Sequence, residues 1–331
     1  MSIVLQNAIR RIRAQGITGA ASAYWQMFRW SRARKNPARR YLIRRVQGSK
    51  MYLDLRRPGI SEDLNKYGFR EGEQLHLVRK TLRPGMCVFD IGGNIGYYTC
   101  LAARIVGEKG KVYAVEPDPE NCALLRKNIE LNGYESFVEI EELAISDQNG
   151  EQKFNLANVS NRHSFHNLTD DPGDEHTADQ DGRSISVQMR DLPTFLGDRR
   201  RPDYLRMDVE GHEVEVLRNL AEVSASLDWR PDVMFEVHDW YYNMKSHDIR
   251  RPLTKLFDLG YEPQWLVSTS EPAREFRRLG YEPSETIRPV ETAHGFYENV
   301  RPEHALDLIA APRQTKAVFL SAARRKSAAT G

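Results

Sequence analysis

The stretch Val88-Phe89-Asp90-Ile91-Gly92-Gly93-Asn94-Ile95-Gly96-Tyr97-Tyr98-Thr99 constrains the fold more than any other part of the chain. The apolar run from Met86 to Phe89 is long enough for a buried strand. It ends in an acidic residue and a glycine turn, after which Leu101, Ala102, Ile105 and Val106 recur at helical spacing. Strand, glycine turn and helix together hold a nucleotide-like ligand at the carboxyl edge of an open parallel sheet. Gly92 and Gly96 allow the tight bend and let a ligand approach the backbone where a Cβ would clash.

The spacing separates two ligand classes. A dinucleotide turn reads G-x-G-x-x-G and seats its pyrophosphate on a helix N-terminus. Here the pattern is Asp-x-Gly-x-x-x-Gly, and Asp90 would repel a pyrophosphate. It suits a ligand with an ammonium or sulfonium group, such as S-adenosylmethionine. A second apolar run, Lys111 to Val115, ends at Glu116, 24 residues past Gly92. An α/β site usually places there the carboxylate that accepts from both ribose hydroxyls. Read separately, Asp90 is a helix N-cap and Glu116 a solvated strand end. Their coincidence favours the ligand.

The remaining chain repeats the strand–helix rhythm of a parallel sheet with right-handed crossovers. Pro117-Asp118-Pro119-Glu120-Asn121 opens a helix that ends at Asn132-Gly133. Leu143-Ala144-Ile145-Ser146-Asp147 lies where an adenine ring would rest. Tyr204 to Asp208 is a strand ending in the polar cluster Asp208, Glu210, His212 and Glu213, and Asp232 to Val237 ends beside Glu236, His238 and Asp239. Four strand ends (Asp90; Glu116; Asp208 with Glu210; Glu236 with His238) therefore converge on the edge where open α/β sheets bind and react. Pro263–Ser268 and a segment near 295–300 complete the sheet, and 311–331 reads as a frayed tail. Residues 158–183 are polar and acidic and contain His163, His166 and His176. They are expected to form an acidic lid or a disordered insert with solvated histidines.

Net charge is +2, but residues 1–50 hold twelve Lys and Arg and no acid, leaving 36 basic and 46 acidic residues in the rest. This basic N-terminal arm on an acidic body reads as amphipathic helical pieces broken near Gly16 and Gly19, with Tyr24, Trp25, Met27, Phe28 and Trp30 among arginines. Two uses fit: an interfacial helix on anionic lipid, or a helix packed on the body or on a second subunit. No nucleic-acid module accompanies it. No run approaches the roughly 20 apolar residues of a membrane span, and Met1 to Leu5 lacks the apolar core of a secretory signal. The three cysteines, Cys87, Cys100 and Cys122, suit a reducing cytosol. The expectation is a cytoplasmic protein, with a peripheral place on the membrane face if the arm binds lipid.

Arg-Pro-Gly…Phe-Asp-Ile-Gly-Gly-Asn-Ile-Gly-Tyr-Tyr-Thr (83–99), Val-Glu-Pro-Asp-Pro-Glu-Asn (115–121), Ala-Ile-Ser-Asp (144–147) and Met-Asp-Val-Glu-Gly-His-Glu (207–213) resemble the FkbM-type S-adenosylmethionine-dependent methyltransferases. The resemblance covers roughly residues 60–300. It implies a class I, Rossmann-like, doubly wound α/β domain with a mostly parallel seven-stranded sheet, one strand reversed, over 51–310. It also implies methyl transfer to a hydroxyl oxygen, often on a sugar or polyketide. Gly93 stands where the family usually has alanine. The arm and the insert are outside the shared pattern.

The expected S-adenosylmethionine site comprises Asp90, Gly92, Asn94, Gly96, Tyr98, Thr99, Glu116, Pro117, Asn121, Ala144 and Asp208. A sugar hydroxyl is a poor nucleophile, so a base or a metal is expected. His238 and His212 are the candidate bases, with Asp208, Glu210 or Glu236 orienting an imidazole or accepting the proton. Asp208, Glu236 and His238 are also candidate ligands for Mg²⁺. The plainer alternative makes Glu210 and Glu213 the start of a helix and His212 a surface residue. The acceptor is expected to be a saccharide or lipid-linked saccharide. Competing readings are an NAD(P)-dependent oxidoreductase and a non-catalytic membrane adaptor on the same fold.

Overall fold

The computed structural model describes residues 21–57, 59–157, 163–166, 180–227, 229–242 and 247–322. Residues 21–34 form helix α1, followed by a hairpin of β1 (Tyr41–Val46) and β2 (Ser49–Asp54). Then come α2 (Ile60–Tyr67), α3 (Gly72–Thr81), β3 (Cys87–Ile91), α4 (Tyr97–Val106), β4 (Lys111–Val115), α5 (Pro119–Glu130), β5 (Val138–Glu141) and β6 (Ala144–Ile145). A long antiparallel pair, β7 (Gly150–Ala157) and β8 (Gln180–Arg190), precedes α6 (Leu192–Leu196), β9 (Tyr204–Met207), α7 (Glu213–Leu227) and β10 (Asp232–Glu236). The chain closes with α8 (Arg250–Asp258), β11 (Tyr261–Ser268), α9 (Arg274–Arg278), β12 (Glu285–Ile287), β13 (His294–Tyr297), α10 (Pro302–Ala310) and β14 (Thr315–Ala322).

The main sheet runs β12-β13-β11-β14-β10-β9-β3-β4-β5. From β10 to β5 the strands are parallel, and β14 lies antiparallel between β10 and β11. Every residue of β3 and β9 is buried, because helices cover both faces of a parallel sheet. One face packs against α6, α7, α8 and α10 through residues such as Phe195, Val216, Leu253 and Leu308. The other packs against the β1–β2 hairpin, α3, α4 and α5 through Leu53, Leu77, Leu101 and Leu125. A separate three-stranded sheet, β6-β8-β7, has its own small core of Ala144, Phe154, Val187 and Met189.

Three expectations are corrected. The sheet has nine strands, because the hairpin β12–β13 extends the seven beyond β11. The reversed strand is β14 itself, with Ala317, Val318 and Leu320 buried, so residues 315–322 are a central strand and not a frayed tail. A tail rich in small and polar residues looked frayed because the apolar run Ala317–Leu320 is short. The arm also ends before residue 50: β1 and β2 pair across that boundary, from Tyr41 opposite Asp54 to Val46 opposite Ser49. Gly16 and Gly19 lie outside the described residues. Helix α1 buries Ala23, Trp30 and Ala33 and leaves Trp25 and Phe28 exposed.

Candidate active site

A cleft of about 800 Å³ opens at the carboxyl ends of β3, β4 and β9. Its floor is the turn after β3. Gly92 has φ +84° and a Cβ there would stand 2.0 Å from the carbonyl oxygen of Asp208, so only glycine lets these two strand ends come together. Gly96, at φ +90°, begins α4; a Cβ would meet Leu125 Cδ1 at 2.5 Å.

Glu116, at the tip of β4, lines the cleft and is held on three sides. Its Oε2 accepts from the Asn94 backbone N–H (2.8 Å), and its Oε1 accepts from the Asp118 N–H (3.0 Å) and Asn121 Nδ2 (3.3 Å). Burial pushes its carboxyl up to about 7. Asn94, Tyr98, Pro117, Ala144 and Asp208 line the same cleft. Leu143, Ile145, Phe154 and Phe165 add an apolar wall opposite the glycine turn.

Asp90 does not face the cleft. Only 1% exposed, its carboxylate accepts from Thr99 Oγ1 (2.6 Å) and Arg206 Nη1 (3.3 Å). Its negative charge is answered inside the protein, which corrects its expected role as the partner of a cationic ligand. Thr99 and Asn121 likewise act on Asp90 and Glu116, and Gly96 on the packing of α4 against α5; none of the three lines the cleft.

Arg206 organises this end of the site. It lies over the Tyr98 ring at 4.1 Å, donates to Asp208 Oδ2 (2.8 Å), and reaches the Gly92 carbonyl oxygen (3.3 Å). Glu71 also lines the cleft, with φ +46° at the start of α3, and accepts from Arg70 Nε at 2.5 Å. The motifs assign none of Arg70, Glu71 and Arg206 to the site, although Glu71 lies in the helical region 61–83. Arg206 carries a visible signal, a charge between Leu205 and Met207 in a buried strand. Glu71 carries none.

Behind Asp208 and Glu210 stands His238, 2% exposed. Its Nδ1 is 2.8 Å from Glu213 Oε1; its Nε2 is 3.7 Å from Asp208 Oδ1, 3.6 Å from Glu210 Oε2 and 3.9 Å from Glu236 Oε1. Burial alone would favour the neutral imidazole, but Glu213 and Glu210 outweigh it and hold His238 well above its ordinary value. Burial raises the Asp208 and Glu210 carboxyls. Lys316, in contact with Glu236 Oε1, outweighs burial and lowers the Glu236 carboxyl, while Gln74 Nε2 donates to its Oε2 (2.6 Å). Asp208 and Glu210 line the cleft, and the other two support them from behind. An oxygen of Asp208, one of Glu236 and a nitrogen of His238 lie within 4.8 Å of one another, a donor set that fits a divalent cation.

His212 lines the same cleft but points away from His238. Its Nε2 is 3.1 Å from Ser146 Oγ, its Nδ1 3.5 Å from Glu215 Oε2, and its ring packs on Phe165 at 4.7 Å. It is 4% exposed and so not the surface residue of the plainer alternative, and its ring is held apart from the Glu213–His238 pair. The two described histidines of the insert, His163 and His166, are not solvated either. His163 is 6% exposed, with Nδ1 accepting from the Ala157 N–H (2.8 Å) and Nε2 beside Asp118 Oδ2 (3.1 Å) and Arg57 Nη2 (3.1 Å). Phe154 and Phe165 shield that segment; His176 and most of the insert lie outside the described residues.

A parallel α/β core with a glycine turn, a buried strand-tip carboxylate and an acid–imidazole cluster on one cleft defines a protein of the methyltransferase class. The family model described as the methyltransferase FkbM domain matches residues 90–263, just over half the chain. The chain belongs to that family. It is 40% identical over 78 residues to protein-L-isoaspartate O-methyltransferase 1 of Arabidopsis thaliana, covering 24% of this chain and 34% of that one. It is 23% identical over 169 residues to hexuronic acid methyltransferase AglP of Haloferax volcanii, covering 50% and 63%. A solved structure of methyltransferase FkbM from Methylobacillus flagellatus aligns over 71% of this chain and 52% of that one, with 13% identity and a TM-score of 0.36. The chain spans about a third or less of the isoaspartate methyltransferases it matches.

Proposed function

We propose that this chain transfers the methyl group of S-adenosylmethionine to a hydroxyl oxygen of a saccharide, free or lipid-linked, on a class I methyltransferase fold. One observation carries the reading: Glu116 and the pair Asp208–Glu210 occupy two ends of a single cleft floored by the Gly92 turn. The first end suits a ribose and the second a reacting hydroxyl. The relative from Haloferax volcanii, described as acting on hexuronic acid, supports a sugar as acceptor.

In this reading Glu116 accepts from the ribose hydroxyls, and Val115, Pro117, Ala144 and Phe165 enclose the adenine. Asp208 and Glu210 stand where the acceptor hydroxyl must lose its proton as it attacks in line from about 3–3.5 Å. His238 is a positioning residue that keeps both carboxylates in place. A Mg²⁺ ion held by Asp208, Glu236 and His238 would lower the pKa of a bound hydroxyl. The test is transfer of labelled methyl to cell extract separated into lipid, glycan and protein, with and without a chelator. Label in glycan or glycolipid supports the reading, and label confined to protein overturns it. Tighter binding of NAD than of S-adenosylmethionine would favour an oxidoreductase, a reading the Asp-x-Gly-x-x-x-Gly turn disfavours.

A further inference from the structure

Across Tyr241 and Tyr242 from His238, three stretches distant in sequence bring imidazoles and one carboxylate together. They are residues 163–166, the loop and first turn of α7 around His212 and Glu215, and His247 ahead of α8. Ligand atoms of His166, Glu215 and His247 lie within 4.8 Å of one another. The His166 and His247 rings are 4.5 Å apart. Glu215 sits between two imidazoles, with Oε1 3.2 Å from His247 Nδ1 and Oε2 3.5 Å from His212 Nδ1.

The far side of two of these imidazoles is already engaged. His247 Nε2 donates to the Gly211 carbonyl oxygen at 2.7 Å, and His212 Nε2 is 3.1 Å from Ser146 Oγ. Both rings therefore turn Nδ1 toward Glu215, in the way outer hydrogen bonds orient metal-binding histidines. His212 is 4% exposed, yet its Nδ1 makes no hydrogen bond, and neither does the buried Glu215 Oε2 facing it. Leaving such buried atoms unsatisfied destabilises the fold, a penalty that a shared ligand would remove.

We propose that the clustered His166, Glu215 and His247 bind a Zn²⁺-class ion, with His212, whose Nδ1 stands 3.5 Å from Glu215 Oε2, swinging in as the fourth donor. Three imidazoles and one carboxylate, without an open thiolate or an all-oxygen cage, favour a borderline transition ion over Mg²⁺. The ion is structural and separate from the acceptor end. It ties segment 163–166 to the start of α7. Phe165, next to His166, lines the cleft and packs on His212, which lines it too, so the ion fixes one wall of the cleft.

The full chain, stripped with a strong chelator, is titrated with Zn²⁺ by calorimetry and with Co²⁺ by its visible ligand-field absorption. The expected result is one ion per chain with the intense bands of a four-coordinate site. Binding weakens at least about 100-fold in His166→Gln and in Glu215→Gln, each removing one ligand. It is unchanged in Glu236→Gln, which alters only the other cluster. Should Glu215→Gln not fold, His166→Gln carries the test, because His166 is half-buried and outside every helix and strand of the main sheet. No binding by the wild-type chain, full binding by His166→Gln, or loss of binding in Glu236→Gln overturns the proposal. None of these readouts needs methyl transfer, so the site stands or falls apart from the proposed activity.

Discussion

Arg206 donates to Asp208 Oδ2 over 2.8 Å, and the same guanidinium reaches Asp90 Oδ1 at 3.3 Å. One cation thus joins the tip of β9 to the tip of β3, with Arg206 only 4% exposed. Removing it leaves two acids in a buried site, a change that costs about 3–5 kcal/mol when a buried pair is broken. Arg206→Met is expected to lose that much in urea unfolding. A loss under about 1 kcal/mol would show that the acids do not depend on it.

The two adjacent glycines of the turn should respond differently to alanine. At Gly92 a Cβ meets backbone at 2.0 Å and φ is +84°, whereas at Gly93 the nearest atom is Thr99 Oγ1 at 3.3 Å with no positive φ. Gly92→Ala is expected to destabilise by several kcal/mol and to abolish S-adenosylmethionine binding, because the strand ends must part. Gly93→Ala should stay within about 1 kcal/mol of the native chain. Equal thermal midpoints for the two variants would contradict this account.

Glu116 gives the site a pH dependence. Its carboxyl is raised to about 7 by burial, so in the unliganded protein it retains its proton above the ordinary 4.5. The folded state then binds more protons than the unfolded one between those values, and the stability Glu116 contributes falls as pH rises across that window. Binding has the opposite sign, since two ribose hydroxyls donate best to the ionised form. Affinity for S-adenosylmethionine should rise about fivefold from pH 6 to pH 7 and about twofold more before levelling off near pH 8. Calorimetry on Glu116→Gln should show a flat profile and binding weaker by about tenfold or more. A variant profile as steep as the native one would assign the proton elsewhere.

The acceptor end separates binding from chemistry. His238 does not line the cleft, yet it touches Glu213 and faces Asp208, Glu210 and Glu236. His238→Gln is expected to leave S-adenosylmethionine affinity within about threefold while lowering turnover about 10²–10⁴-fold. Loss of both in proportion would make His238 a binding residue instead.

Much of this was legible before the fold was known. The apolar runs at β3, β4, β9 and β10 marked the parallel core, and their acidic ends marked its working edge. Sequence could not show where those ends point. Asp90 reads as a ligand carboxylate until Arg206, 116 residues later, is found against it. His212 and His238 sit in equally polar clusters, and only the turn before α7 sends one toward Ser146 and the other toward Glu213. The reversed strand β14 was missed because its pairing with β10 and β11 spans long sequence separations and leaves no local periodicity.

Helix α1 has two faces with different fates. Ala23, Trp30 and Ala33 pack inward, and Asn65 Nδ2 donates to the Gln26 carbonyl oxygen at 3.0 Å, so the helix is docked on the body. The opposite face leaves Trp25 58% and Phe28 57% exposed, their rings stacked at 6.0 Å, with Arg29, Arg32 and Arg34 exposed nearby. Paired aromatics ringed by arginine suit the boundary of an anionic lipid surface, where each basic residue adds about 1 kcal/mol. The double variant Trp25→Ser, Phe28→Ser keeps the docked face intact and should fold. It is expected to lose sedimentation with phosphatidylglycerol vesicles that the native chain shows at low salt. If the native chain stays in the supernatant, or the variant pellets with it equally, the exposed pair serves no membrane and the docked face accounts for the helix.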